Sequence, residues 1–140
     1  MKVGNVATYE GEYVSGKKHG KGIYKSGDDW VYEGDFSNNE MTSSKGIMRY
    51  NNGETYEGSF VNGKKHGFGV YKWKDGSVYE GWYANDKKEG HGKFASSDGR
   101  KFEGEWVEGK REGRGLLIIG GKKYPGEWHN DLPLSNKNIP

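Results

Sequence analysis

Apolar and polar positions alternate along most of this chain, and the alternation itself repeats. From Tyr9 the chain reads YEGEYVSGKKHGKGIY, and from Tyr56 it reads YEGSFVNGKKHGFGVY. Aligned on the opening aromatic, Tyr9, Tyr32, Tyr56, Tyr79, Phe102 and Tyr124 stand 23, 24, 23, 23 and 22 residues apart. Two residues after each comes a glycine (Gly11, Gly34, Gly58, Gly81, Gly104, Gly126), and two further on another aromatic (Tyr13, Phe36, Phe60, Tyr83, Trp106, Trp128). The second half of each unit is also periodic: Gly22, Gly46, Gly69, Gly92 and Gly115 are followed two residues later by Tyr24, Met48, Tyr71, Phe94 and Leu117.

A period of two is the signature of a strand with one aromatic and one polar face. Between the two strands of a unit, SGKKHG and its relatives supply the Ser, Asn and Gly of a reversal, and Gly53, Gly76 and Gly99 mark the turn to the next unit. Each unit is therefore a β-hairpin, and no capped helical period appears. One hairpin cannot bury its aromatic face alone, so the units must stack into an array. The expected fold is all-β: an elongated, twisted, single layer of antiparallel hairpins with an aromatic-lined groove. It has about 11 strands and, at about 4.8 Å per strand, a length of roughly 50 Å. Residues 1–8 read as a lead-in or cap strand, 9–130 as the array, and 131–140 as a polar tail. A glycine inside a strand leaves a gap over which a ring can lie, and the rings at the Tyr24, Tyr71 and Phe94 register are expected there.

Three units depart from the pattern. The second, FSNNEMTSSKG, has one extra residue and puts Ser44 where the others have Gly20, Gly67, Gly90 and Gly113, so its turn is expected to protrude or bend differently. The first carries Asp29 in place of the glycine between units. The fifth turns aliphatic at LLIIGG, which reads as a cap or as a docking surface.

Leu, Ile, Val and Phe make only 22 of the 140 residues, a composition that leans toward disorder. The 20 aromatic residues and a net charge of only +2 oppose that, and the chain reads as folded around a thin aromatic core. With no cysteine, disulfides and thiolate metal sites are excluded. The opening MKVGNVATYE lacks a signal-peptide apolar run, and no segment approaches the roughly 20 apolar residues that span a bilayer. A soluble cytoplasmic protein is the expectation.

Recurrence argues against catalysis. A catalytic carboxylate pair occurs once in a pocket, whereas Glu10, Glu33, Glu57, Glu80 and Glu103 recur in every unit on the polar face. His19 and His66 share one turn position two units apart, about 19 Å, too far for a common metal. No serine has a paired base, and no phosphate-binding glycine loop stands between a strand and a helix. No enzyme, metal or cofactor is expected. The acids beside the rings would repel nucleic-acid phosphates, so nucleic acid is not an expected partner.

Two surfaces remain. Basic residues at the turns (Lys17, Lys18, Lys64, Lys65, Lys87, Lys88, Lys110 and Arg111) are expected in a row, broken at the second unit, along one edge where they would meet acidic phospholipid or keep the array soluble. Exposed aromatic surface on a single-layer sheet marks a binding site. Tyr13, Phe36, Phe60, Tyr83 and Trp106 are the expected floor of a groove for a protein partner, a helix or an extended peptide. Tyr50 and Trp73 join them, because Ser26 and Ser96 at the same register show that the fold does not require a ring there. Edge pairing of terminal strands is the route to a homodimer.

The stretches YEGEYVSGKKHGKGIY, YEGSFVNGKKHGFGVYKWKDG and FEGEWVEGKREGRG resemble membrane occupation and recognition nexus (MORN) repeats, and the resemblance runs from Tyr9 to Trp128. It implies the same elongated hairpin array with an aromatic groove. It also implies non-catalytic work as a scaffold or adaptor at cytoskeletal sites or the inner face of a membrane, with binding of acidic phospholipids as the alternative. Arrays of this kind are also fused to catalytic domains, so a subunit or fragment of a larger enzyme complex is a second alternative.

Overall fold

The structure, a computed structural model, describes residues 6–134. The strands are β1 (Ala7–Val14), β2 (Lys17–Ser26), β3 (Trp30–Ser37), β4 (Glu40–Met41), β5 (Ser43–Tyr50), β6 (Thr55–Val61), β7 (Lys64–Lys72), β8 (Val78–Ala84), β9 (Lys87–Ala95), β10 (Lys101–Val107), β11 (Lys110–Ile119), β12 (Lys122–His129) and β13 (Leu132–Pro133). They form one antiparallel sheet in chain order, with β4 set against β3 only. Eleven are the strands of the repeat. The two-residue β4 and β13 are additions, one from the lengthened second turn and one from Leu132–Pro133 folding back onto β12. The tail boundary at 130 thus falls inside a further hairpin, and residues 7–8 of the lead-in belong to β1. The rest of the lead-in and tail, 1–5 and 135–140, lies outside the described residues.

Register aligns the in-strand glycines into a ladder. Gly11 faces Gly22, Gly22 faces Gly34, and from Gly46 the pairing runs through Gly58, Gly69, Gly81, Gly92, Gly104 and Gly115 to Gly126. The rings above this ladder are not those of the Tyr24, Tyr71 and Phe94 register. They are the opening aromatics: a Cβ on Gly22 would lie 2.5 Å from the Tyr9 ring, and one on Gly115 would lie 2.5 Å from the Phe102 ring. Tyr24, Tyr71 and Phe94 stand directly opposite Tyr9, Tyr56 and Tyr79. Only one ring of each opposed pair can lean over the glycines, and the opening ring takes that place.

These flat rings build the core. Tyr32, Tyr56, Tyr79 and Phe102 are buried together with Phe36, Phe60, Tyr83, Trp106 and Trp128. Four opening rings meet the second ring of the next unit edge-on: Tyr9 with Phe36 at 5.1 Å, Tyr56 with Tyr83 at 5.3 Å, Tyr79 with Trp106 at 5.5 Å and Phe102 with Trp128 at 4.9 Å. Such edge-on contacts are worth about 1 kcal/mol each beyond the buried area, and here they tie unit to unit. The sheet covers its own aromatic face.

The hairpin reversals are tighter than SGKKHG implied. Both turn residues have positive φ at Ser15–Gly16, Asn38–Asn39, Asn62–Gly63, Asn85–Asp86, Glu108–Gly109 and Asn130–Asp131, the geometry of two-residue primed turns. The lysines already belong to the returning strand. Two residues past them the register shifts, as between Gly81 and Tyr83, and Gly20, Gly67, Gly90 and Gly113 fill these bulges with positive φ. In the second unit the extra residue lets the chain pass through β4 and on to β5 without left-handed backbone at Ser44. Between the first and second units the chain turns on Gly27, φ 54°, two residues before Asp29, so the turn keeps a left-handed glycine although Asp29 stands at the position of Gly53, Gly76 and Gly99.

Successive turns are hydrogen-bonded to one another. The amides of Asn39, Gly63, Asp86, Gly109 and Asp131 donate to the carbonyls of Lys18, Met41, Lys65, Lys88 and Arg111 of the preceding unit. Where the turn residue is Asn or Asp, its side chain also accepts from the amide of Lys18, Lys65 or Arg111.

Candidate functional site

The sequence-derived groove floor divides in two. Phe36, Phe60, Tyr83 and Trp106 are 2–6% exposed. They are core rather than surface, because the flat opening rings of neighbouring units pack against them. Tyr13 is 59% exposed at the open end of the array. Tyr50 and Trp73 are half-buried, and with Tyr71 and Phe94 they form a continuous chain of rings. Centroids are 6.0 Å apart for Tyr50 and Tyr71, 4.6 Å for Tyr71 and Trp73, and 5.5 Å for Trp73 and Phe94. A second patch, Tyr24 with Trp30 at 5.6 Å, lies near the first end. The Tyr71 hydroxyl donates to Glu54 at 2.7 Å, which fixes the ring and holds the Glu54 carboxyl below the ordinary range.

The basic pairs also divide. Lys17, Lys64, Lys87 and Lys110 are exposed at the turn edge, whereas Lys18, Lys65, Lys88 and Arg111 fold onto the rings. The Lys88 ammonium sits 4.8 Å from the Trp106 ring, 5.0 Å from Trp73, 5.4 Å from Tyr79 and 5.6 Å from Phe94. Lys65 lies 5.5–5.9 Å from Tyr71, Tyr56 and Tyr83, and Arg111 lies 5.3 Å from Phe102. Lys65 is also 3.7 Å from Asp86. Burial lowers the pKa of Lys65 and Lys88 and raises those of the core tyrosines, Tyr32 to about 12. The alternation that separates strand faces carries this distinction, since the second residue of each pair shares the rings' face. The single row of eight basic residues becomes an exposed row and a ring-capping row, each interrupted at the second unit, where Glu40 and Met41 stand in place of the basic pair.

His19 and His66 are turn residues with a defined task. Each Nδ1 accepts from the first amide of the next unit's turn, Asn38 and Asn85. Thr42, Glu89 and Glu112 do the same for Asn62, Glu108 and Asn130. The residue following each basic pair thus caps the next turn, a role no single repeat discloses. His91 lies on the opposite face, 3.4 Å from Glu103 and 3.6 Å from Glu105. Among the described residues no three His, Asp or Glu side chains gather as a metal site.

A cavity of about 630 Å³ opens on that opposite face over Gly22 and Gly34, between Glu10, Glu33, Ile23 and Ile47. Of its carboxylates Glu10 and Glu33 belong to the recurring acidic row, and Asp35, which also lines it, accepts from the Ser43 hydroxyl at 3.4 Å. No helix among the described residues is long and apolar enough to cross a membrane.

None of the curated proteins matches the chain. The MORN repeat matches it five times, over residues 9–31, 32–55, 56–78, 79–99 and 102–119, leaving the closing hairpin from Tyr124 unmatched. MORN repeats are in general non-catalytic modules found in protein- and membrane-binding settings. Each match opens on one of the aromatics that lies over the glycine ladder, and together they cover most of the chain, which therefore belongs to the MORN repeat family.

Proposed function

We propose that this array is a non-catalytic scaffold that holds a protein partner, a helix or an extended peptide, along its aromatic face. The observation that carries the reading is the partly buried ring chain Tyr50–Tyr71–Trp73–Phe94. Interface anchors are typically aromatic side chains with part of their surface still to bury. Ser26 and Ser96 stand at the register of Tyr50 and Trp73, so these two rings are not demanded by the fold. Lys65 and Lys88, held among the rings, favour a partner segment that brings a carboxylate to them. The test is capture of partners from the native lysate by the wild-type array and by Tyr50→Ser/Trp73→Ser. Loss of a stoichiometric partner with the fold retained supports the ribbon, and an unchanged set of captured proteins refutes it.

A second reading rests on the exposed lysines. The turn-to-turn hydrogen bonds line up Lys17, Lys64, Lys87 and Lys110 on one edge, suited to an acidic phospholipid surface at about 1 kcal/mol per charge. Co-sedimentation with phosphatidylserine vesicles distinguishes it. Binding by this edge falls with salt and with Lys→Glu at these four positions, whereas ribbon binding withstands both.

A further inference from the structure

On the face opposite the core, one position of the repeat changes character. Where the second strand of one unit meets the first strand of the next, two junctions carry a cation across from an anion, Lys21 and Asp35 and Arg114 and Glu127, and a third carries the His91 imidazole across from Glu105. At the second-to-third junction a bulge interrupts the register. At the remaining junction, in the middle of the array, the same two positions hold Phe68 and Trp82. Their rings meet edge-on at 5.6 Å and stay 45% and 50% exposed. The fold is served by charged pairs at this register, so packing does not explain the rings. Val61, itself 43% exposed, lies on the same face toward the turn edge.

The neighbouring row states what would cover them. Running across the strands two residues from the ring pair come Glu10, Ile23, Glu33, Ile47, Glu57, Val70, Glu80, Lys93 and Glu103 in successive register. That row holds five glutamates and one lysine. Glu33 and Glu57 have only aliphatic residues beside them in register, and among the described residues neither they nor Glu80 forms an ion pair. Other basic side chains of this face, Lys25, Arg49, Lys72 and Lys101, stand one row further toward the turns between units, on the far side of the glutamates from the rings, while Lys21 and Arg114 share the ring pair's own row near the two ends of the array.

We infer that this face is a second docking surface, for a partner segment bearing arginine or lysine. A cation of the partner lies over Trp82 and Phe68, its neighbours pair with Glu57 and Glu80, and the basic row beyond sets the direction of approach. Guanidinium is the best match, since it stacks on an indole face and pairs with a carboxylate at once. The surface is separate from the aromatic ribbon, so one array can join two protein segments.

The test uses the full chain and two synthetic peptides, one alternating arginine with serine and one alternating glutamate with serine, titrated while backbone amide shifts are followed. The expected result is that the arginine peptide shifts Glu57, Phe68, Glu80 and Trp82 while the glutamate peptide shifts none of them. Phe68→Lys/Trp82→Glu, which installs the charged pair used at two other junctions and so keeps the fold, should weaken binding by about tenfold or more. Unchanged affinity in that variant, shifts spread over every acidic residue, or equal binding of both peptides would overturn the inference. So would concentration-dependent self-association abolished by the variant, which would make the ring pair a contact between copies of this chain.

Discussion

The Tyr79 hydroxyl donates to the main-chain oxygen of Trp82 at 2.8 Å, reaching three residues along its own strand into the break where the β8–β9 register shifts. Tyr9 does the same with Glu12, Tyr32 with Asp35 and Tyr56 with Ser59. One side chain thereby covers the glycine ladder and ties down the bulge. The fifth unit has Phe102, which occupies the same place over Gly104 and Gly115 without a hydroxyl. Phe102→Tyr should stabilise the array by about 1 kcal/mol, and Tyr79→Phe should cost about as much. Urea unfolding measures both.

The ladder predicts a contrast between glycines. A Cβ at Gly81 would meet the Gly92 Cα at 2.5 Å and the His91 oxygen at 2.7 Å, and neither backbone atom can yield cheaply. Gly81→Ala should cost about 3 kcal/mol, at the upper end for overpacking. Gly76, with φ +95° and nothing within 4 Å, has room for a methyl group and is strained only in its backbone. Gly76→Ala should cost about 1–2 kcal/mol, the left-handed penalty alone. Equal losses at the two sites would contradict the ladder.

Core and ribbon should separate on mutation. Tyr83→Ala or Trp106→Ala removes a buried ring and should cost about 3–5 kcal/mol, enough to unfold a thin core. Tyr50→Ser and Trp73→Ser should leave the circular dichroism spectrum unchanged and lower the melting temperature by only a few degrees.

Alkaline pH should unfold the protein in one step. Burial raises the hydroxyl pKa of Tyr32 to about 12, and those of Tyr56, Tyr71, Tyr79 and Tyr83 further, above an unfolded value of 10.0. A raised folded pKa leaves stability intact below the unfolded value and removes it as pH climbs toward the folded one. Lys65 and Lys88 act oppositely: their lowered values mean stability rises slightly as they lose their protons below 10.5. Stability should therefore hold or rise gently up to about pH 10 and then fall steeply. Tyrosinate absorbance from the buried rings Tyr32, Tyr56, Tyr79 and Tyr83 should appear together with loss of the fold. Titration of these buried tyrosines near pH 10 in a protein that stays folded would contradict their burial.

The hairpins, the glycine positions and the repeat boundaries were all legible in the sequence, because a period of two and a fixed spacing need no knowledge of packing. The depth of each ring was not. Tyr83 and Tyr50 both read as aromatic positions on one face, and only the lean of the opening rings over the glycines makes the first core and the second surface. Lys17 and Lys18 likewise read as one basic pair, and their division follows from a turn of two residues rather than six. The task of His19 and His66 lies between units and is invisible within one. The Phe68–Trp82 pair carried a signal that was missed, the replacement of a charged pair by rings at one register.

The central claim is that surface rings over a self-sealed aromatic core hold a partner. Its most direct test is quantitative capture from the native lysate by three folded arrays: wild type, Tyr50→Ser/Trp73→Ser, and Lys17→Glu/Lys64→Glu/Lys87→Glu/Lys110→Glu. The account predicts a stoichiometric protein retained by the wild type and the lysine-edge variant and lost from the ring variant. A partner retained by the ring variant, or lost only from the lysine-edge variant, would contradict it.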